Sequence, residues 1–318
     1  MDAVRTIAQT VLYEGYLLWP YRRSAAKNQH RFTIGGLLPA AYAASVCDRA
    51  RARFDALVEG NDPRFDVEVR FLRLRHRQVL RNGEPVDTLI AGEREYLTWD
   101  EATEEAVTRD DIAARATPLT VPIAFAATSD DEVLGGGNAL RRTALALTGH
   151  VDVSCAPMRA GLGRLRIEVA NDDAWPGTDR DGALRRALLA CHVVVRVRGG
   201  AFVSVIDPPD ELRDAAATCS NDGLWPVLVG EAPDRSTLFA APMILEDYPW
   251  VAPESRGDYF DGGEVDELLV HSIRALTDAE QREIRATDPR AAELLDRTLA
   301  LTDAELARLH GAQRPVAR

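Results

Sequence analysis

Apolar residues take every second place from Phe65 to Phe71, with Asp66, Glu68 and Arg70 between them. Such alternation lays one face of a strand on a core and leaves the other polar. At Leu72 and Leu74 the phase shifts, and Arg73, Arg75 and Arg77 now separate the apolar positions. The pattern predicts a strand from Phe65 to Leu80 that admits a bulge. Arg81-Asn82-Gly83-Glu84 is a hairpin turn signal, because Asn-Gly accepts the positive φ angles of a tight turn. Returning strands are expected near Val86–Ala91 and Arg94–Trp99. Asp100 to Asp111 reads as an acidic loop. Leu119–Thr128 follows as a strand, and Pro122 places it at a sheet edge. Asp130-Asp131 and Gly135-Gly136-Gly137-Asn138 read as connections between further strands at Ala139–Ala146, Val151–Ala156 and Arg164–Val169. Turns at this spacing predict a sandwich-like antiparallel unit over about 64–172.

Helical periods flank this unit. AVRTIAQTVL, residues 3–12, predicts a short helix or an extended lead-in. Leu38 to Leu57 is Ala-rich, with Val46, Ala50, Phe54 and Leu57 spaced by three or four, and predicts a helix ended by Gly60-Asn61-Asp62-Pro63. Beyond Trp175-Pro176-Gly177, helix and strand alternate. Asp181 caps an expected helix over Ala183–Cys191. A strand at Ala201–Ile206, a helix at Glu211–Thr218 and strands at Pro226–Val229 and Thr237–Leu245 follow. In the tail, Thr277-Asp278-Ala279-Glu280 and Thr302-Asp303-Ala304-Glu305 are capping boxes, and Asp288-Pro289 is a cap before proline. They predict helices near 278–286, 289–299 and 303–309. The repeated LTDAE is reuse of a good helix start, since nothing else repeats. The expected class is α+β: an antiparallel β-sandwich-like centre with flanking helices and a mixed α/β segment, in one domain over 1–270, then a helical tail over 271–318.

Composition adds compartment. The chain has 318 residues, 46% hydrophobic, enough for a large core. Its four cysteines, Cys47, Cys155, Cys191 and Cys219, form no CxxC pair. They read as small buried hydrophobes rather than metal ligands. No apolar run reaches the roughly 18 residues of a membrane span. The opening Met1-Asp2-Ala3 is no signal peptide. A cytoplasmic protein is expected.

Net charge is −12 but uneven. Residues 1–81 hold 14 Lys and Arg against 8 Asp and Glu, and the rest hold 24 against 42. The basic end suits an acidic partner, an anion or the chain's own acidic part. Overall acidity, with no helix-turn-helix, zinc finger or RNP pattern, argues against nucleic acid.

Candidate chemistry concentrates at 11–39, VLYEGYLLWPYRRSAAKNQHRFTIGGLLP, which contains Lys27, the single lysine of the chain. Tyr13, Glu14, Tyr21, Arg22, Lys27, Asn28 and Arg31 are candidates to line a polar pocket. Its arginines and lysine suit a carboxylate or phosphate. The alternative has Glu14 paired with Arg22 or Lys27 and the aromatics in the core. A second cluster, Pro253 to Glu267, is dense in carboxylates but lacks calcium-loop spacing, and reads as a solvated or Arg-paired loop. No two of the six histidines, His30, His76, His150, His192, His271 and His310, stand four apart. Gly135-Gly136-Gly137 lacks the lysine of a phosphate-binding loop, and no G-x-S-x-G elbow occurs. No metal or cofactor is expected.

The 11–39 stretch and APESRGDYFDGGEVDELLVHSIRALTDAEQREIRATDPRAAELLDR resemble a bacterial protein family often encoded among [NiFe]-hydrogenase genes, notably in actinobacteria. FLRLRHRQVL, AFVSVIDPP and LWPVLVGE fit it too. The resemblance implies an accessory protein in hydrogenase maturation or operation. Its partner would be a hydrogenase subunit or maturation factor, bound through the basic, aromatic N-terminal surface. The rival reading is an enzyme of unknown reaction, with Glu14, Tyr21, Lys27 and Arg31 around a small anionic substrate.

Overall fold

The alternating stretch becomes the axis of the molecule. In the computed structural model, which describes residues 3–29, 31–92, 94–250, 259–260 and 266–306, it is one strand of 18 residues. The helices are α1 (Ala3–Tyr13), α2 (Ala40–Val46), α3 (Arg180–Leu184), α4 (Arg213–Ala216), α5 (Asp266–Arg274), α6 (Asp278–Thr287), α7 (Pro289–Leu299) and α8 (Asp303–Leu306). The strands begin with β1 (Arg51–Glu59), β2 (Arg64–Arg81), β3 (Glu84–Val86), β4 (Thr88–Ala91) and β5 (Arg94–Leu97). They continue with β6 (Trp99–Ala113), β7 (Leu119–Phe125), β8 (Thr128–Gly135), β9 (Asn138–Ala144) and β10 (Leu147–Arg159). The last are β11 (Leu162–Asn171), β12 (Leu189–Arg198), β13 (Ala201–Phe202), β14 (Trp225–Leu228) and β15 (Thr237–Ala241). Short 3-10 turns lie at Ala26–Gln29 and Asp210–Leu212.

The fold is α+β, built on antiparallel sheets. One runs β13-β1-β11-β10-β7, a second β14-β15-β12-β2-β9-β8, with β3 and β6 also paired to β2, and β4 and β5 form a separate two-stranded sheet. Between the first two lies one buried cluster that takes Phe54, Ala56 and Val58 from β1 and Phe65, Val67, Val69 and Phe71 from β2. Leu165, Ile167 and Val169 of β11 and Val193, Val195 and Val197 of β12 also belong to it. These strands reach from 51 to 241, beyond the 64–172 expected.

The phase shift in β2 is a change of face rather than a bulge in its pairing with β6. That pairing runs without a break from Val67 opposite Arg109 to Arg77 opposite Trp99. Leu72 and Leu74 point away from the sandwich into a second cluster with Leu12, Tyr13, Tyr16, Leu17 and Tyr21, and with Leu269, Val270, Ile273, Ile284, Leu294 and Leu295 of the tail. Burying a leucine this way stabilises by about 1.5–3 kcal/mol. The N-terminal segment and the tail helices thus share one core on the outer face of the strand.

Several expectations are corrected. The helix over Leu38–Leu57 is instead α2 followed by β1. Cys47, at φ 55°, ends the helix in the left-handed region, and Ala52, Phe54, Ala56 and Val58 satisfy a period of two as well as of four. The loop Asp100–Asp111 is β6, an acidic strand made stable by the arginines beside it. Arg70, Arg73 and Arg77 of β2 pair with Glu104, Glu105 and Glu101. Asp130-Asp131 lies inside β8, where the bidentate Arg141–Asp131 pair bridges to β9. The helix over Ala183–Cys191 stops at Leu184, its cap is Asp179 accepting from Gly182 N at 2.6 Å, and Cys191 belongs to β12. The Ala201–Ile206 strand is reduced to β13 and Thr237–Leu245 ends at Ala241.

Other expectations hold. The Asn82-Gly83 turn joins β2 to β3 with both φ angles positive. β7, with Pro122, is an edge. The Thr277 and Thr302 boxes and the Asp288 cap are formed. Residues 253–258 and 261–265 of the acidic cluster, His30 and His310 lie outside the described residues. Among the described residues, no helix is long and apolar enough to cross a membrane.

Candidate functional site

The 11–39 stretch crosses the outer face of β2, and its aromatics point inward. Tyr13 and Tyr21 are 1% and 0% exposed, so they form no docking surface. The Tyr13 hydroxyl donates to Glu104 Oε1 at 2.7 Å, and the Arg290 guanidinium lies 4.1 Å above its ring centroid. Burial, reinforced by Glu104, pushes the Tyr13 phenol well above its usual range. The Tyr21 hydroxyl donates to the Tyr259 carbonyl at 2.7 Å. Tyr16, which the reading of candidates passed over, donates to Asp288 Oδ2 at 2.6 Å.

The polar candidates separate. Arg22 pairs with Glu280 of α6 at 3.0 Å. Glu14 is half-buried and Lys27 exposed, and neither lines a groove described below. Asn28, buried, closes the local loop: its Oδ1 accepts from Leu18 N at 2.8 Å, and its Nδ2 donates to the carbonyls of Leu18 and Arg22. Arg31 is buried between rings, 3.6 Å from the Trp99 centroid and 4.5 Å from that of Phe32. It donates to the carbonyls of Tyr16 and Asp100. Burial draws its proton affinity down, against the opposing pull of Tyr16, Asp288 and Asp100. Cation–π contact with desolvated rings offsets part of that cost, about 2 kcal/mol.

Asn28 and Arg31 do meet other charged groups. With Arg23, His76, Trp99, Asp100, Arg180, Asp181 and Arg185 they line a groove of about 400 Å³. β2 and β6 supply its floor, placing His76 directly opposite Asp100. α3 and the residue after it supply Arg180 and Arg185. Arg180 donates to the Arg31 carbonyl at 2.6 Å, which ties the two walls together. Arg23 reaches Asp87 at 3.7 Å.

At the centre, His76 Nδ1 lies 2.7 Å from Asp100 Oδ1, and Arg185 Nε lies 3.2 and 3.3 Å from the two carboxylate oxygens. Burial opposes the charge on Asp100. The His76 hydrogen bond and the Arg185 charge outweigh it and hold the carboxyl below its usual range. The arrangement presents guanidinium donors and an imidazole to a concave space.

Two other clefts are less one-sided. A groove over α1 sets Arg5, Arg70 and Arg196 against Glu68, Glu104 and Glu105. A hollow at the sandwich end includes Cys155, whose thiol burial pushes up to about 11. Burial likewise pushes Cys191 to about 12 and Cys219 to about 11, far from a reactive thiolate. Among the described residues, no three His, Cys, Asp or Glu side chains gather as metal ligands.

His76, Asp100, Arg180 and Arg185 were not candidates from sequence. Their signal is the pairing of β2 with β6, and three short strands separate those two in the chain. No family model matches the chain, and no curated protein matches it.

Proposed function

We propose that this chain binds a small anionic group, a carboxylate or phosphate, in the groove between the 23–31 segment, the β2–β6 floor and α3. The observation that carries this reading is the convergence of Arg23, Arg31, Arg180 and Arg185 on one depression that holds two aspartates. Guanidinium forks match the oxygens of carboxylate and phosphate, and a concave site strengthens them by excluding water. The burial of Tyr13, Tyr16 and Tyr21 supports a pocket over an aromatic docking face. The test is titration calorimetry with acetate and inorganic phosphate on the wild type and Arg180→Gln. Binding that weakens about tenfold in the variant, a loss of about 1.4 kcal/mol, with an unchanged melting temperature, supports the reading. No binding of either anion by the wild type removes it.

The accessory role implied by the resemblance would put that anionic group on a hydrogenase subunit or maturation factor. Lys27 is exposed on the Ala26–Gln29 turn and suits such a contact. Affinity capture from the native host tests it. Hydrogenase components held by the wild type and lost with a folded Lys27→Ala variant support the role, and their absence from the wild-type capture removes it.

A further inference from the structure

The contacts of His76 decide where its proton sits. Nδ1 lies 2.7 Å from Asp100 Oδ1 and 3.0 Å from Arg185 Nη2. A carboxylate only accepts and a guanidinium only donates, so one ring nitrogen cannot serve both. With Asp100 nearer, a bare lone pair on Nδ1 would repel the carboxylate. Nδ1 therefore carries a proton donated to Asp100, and a neutral ring keeps its lone pair on Nε2. Arg185 Nη2 then faces a ring N–H, donor against donor, while Arg185 Nε holds Asp100 at no better than 3.2 Å. That arm gains by turning to an acceptor brought from outside.

Charge decides what kind of acceptor. His76 faces Asp100 from β6, Asp181, Arg180 and Arg185 from α3 and its end, and Arg23 and Arg31 from the N-terminal segment. Thr143, opposite it on β9, is uncharged. Four guanidinium groups line the groove against two aspartates, Asp100 and Asp181, an excess of two positive charges to which an imidazolium would add. A dianion cancels that excess, whereas a monoanion cancels half of it. The donors also come from several directions, which suits a tetrahedral oxyanion better than a planar carboxylate. The volume of about 400 Å³ leaves room for an organic part beside the charged group.

We propose, resting on the anion-binding reading, that the ligand is a phosphomonoester dianion and that His76 determines this specificity by taking up one proton at Nε2 as the ligand binds. The proton comes from solvent and returns to it on release, and no bond to phosphorus forms or breaks. The ligand raises the proton affinity of His76. Binding that takes up a proton tightens as pH falls.

Calorimetry on the full chain tests this with three probes: sulfate, glycerol 2-phosphate and acetate. Sulfate stays a dianion across the range, so its pH dependence reports the protein. Expected are sulfate binding about tenfold tighter near pH 6 than near pH 8.5, and net proton uptake seen as different heats in two buffers. Also expected are glycerol 2-phosphate tighter than sulfate and acetate weakest. His76→Gln should abolish proton uptake and weaken the dianions while sparing acetate. Asp100→Asn keeps the shape and should move proton uptake to lower pH, which covers a poorly folded His76→Gln. Equal affinity for sulfate and glycerol 2-phosphate overturns the ester, and equal affinity for acetate overturns the dianion. Binding without proton uptake, the same in His76→Gln, overturns the role of His76 alone. No binding of any probe overturns the anion-binding reading beneath it.

Discussion

His192 shows how one residue carries a pH dependence that its sequence neighbours hide. On a helix Cys191 and His192 would diverge; on β12 they take opposite faces. Cys191 enters the sandwich core, while His192 sets its ring 5.3 Å from that of Phe239. Its Nδ1 bonds the Ala190 carbonyl at 3.0 Å, and Nε2 is buried without a hydrogen-bond partner. Burial pushes its pKa down to about 4 from an ordinary 6.5. The unfolded chain therefore binds a proton first as pH falls. Stability from this site is complete above about 6.5 and drains away toward pH 4, by about 3 kcal/mol in all. Urea unfolding at both pH values should show that loss, and His192→Phe should remove this part of the slope. An unchanged slope in the variant would mean that the imidazole finds water or a partner. Asp55 also contributes. Burial disfavours its charge, but the Arg166 fork at 2.7 and 2.8 Å and Ser220 N depress its pKa. That contribution survives to lower pH and is lost only beneath the ordinary carboxylate range.

Among elements, the joint between α6 and α7 binds the two ends of the chain together. Asp288 Oδ1 caps α7 by accepting from Arg290 N at 2.8 Å, and Oδ2 accepts from the buried Tyr16 hydroxyl. Arg77 of β2 donates to the Ala286 and Thr287 carbonyls at the end of α6, where a cation suits the helix dipole. The capping was legible from Asp-Pro alone, but the Tyr16 bond was not, because it spans 272 residues. Asp288→Ala should cost about 2–4 kcal/mol, a lost cap plus an orphaned buried hydroxyl. Tyr16→Phe should cost about 1 kcal/mol. Denaturant midpoints of the two variants check this, and equal costs would mean that the bond matters more than the cap. β6 is the opposite case. Its run of acids reads as loop in isolation and becomes strand only beside the arginines of β2.

For the whole molecule, the uneven charge is largely an internal matter. Arginines of the basic first part, Arg70, Arg73, Arg75 and Arg77, find Glu104, Glu105, Asp130 and Glu101 in the acidic remainder. The tail is built into this structure as well, since Ile273, Ile284, Leu294 and Leu295 share a buried cluster with Leu12, Tyr16 and Leu72. A chain truncated after residue 270 should expose that face of β2, bind a hydrophobic dye and lose its cooperative unfolding. A truncated chain that unfolds as sharply as the intact one would mean that the sandwich stands without its cover.

What the sequence by itself determined is local: the long alternating strand, the Asn-Gly hairpin, the edge proline, the helix caps of the tail and the crowding of charge into 11–39. Each rests on backbone preferences or on spacing within one element. Only the tertiary structure decided that the aromatics of that stretch lie inside. It also decided that of the candidates Asn28 and Arg31 reach the groove, and that His76 meets Asp100 there. The reason is that strand pairing across intervening hairpins sets which distant side chains oppose one another, and no local pattern encodes that register.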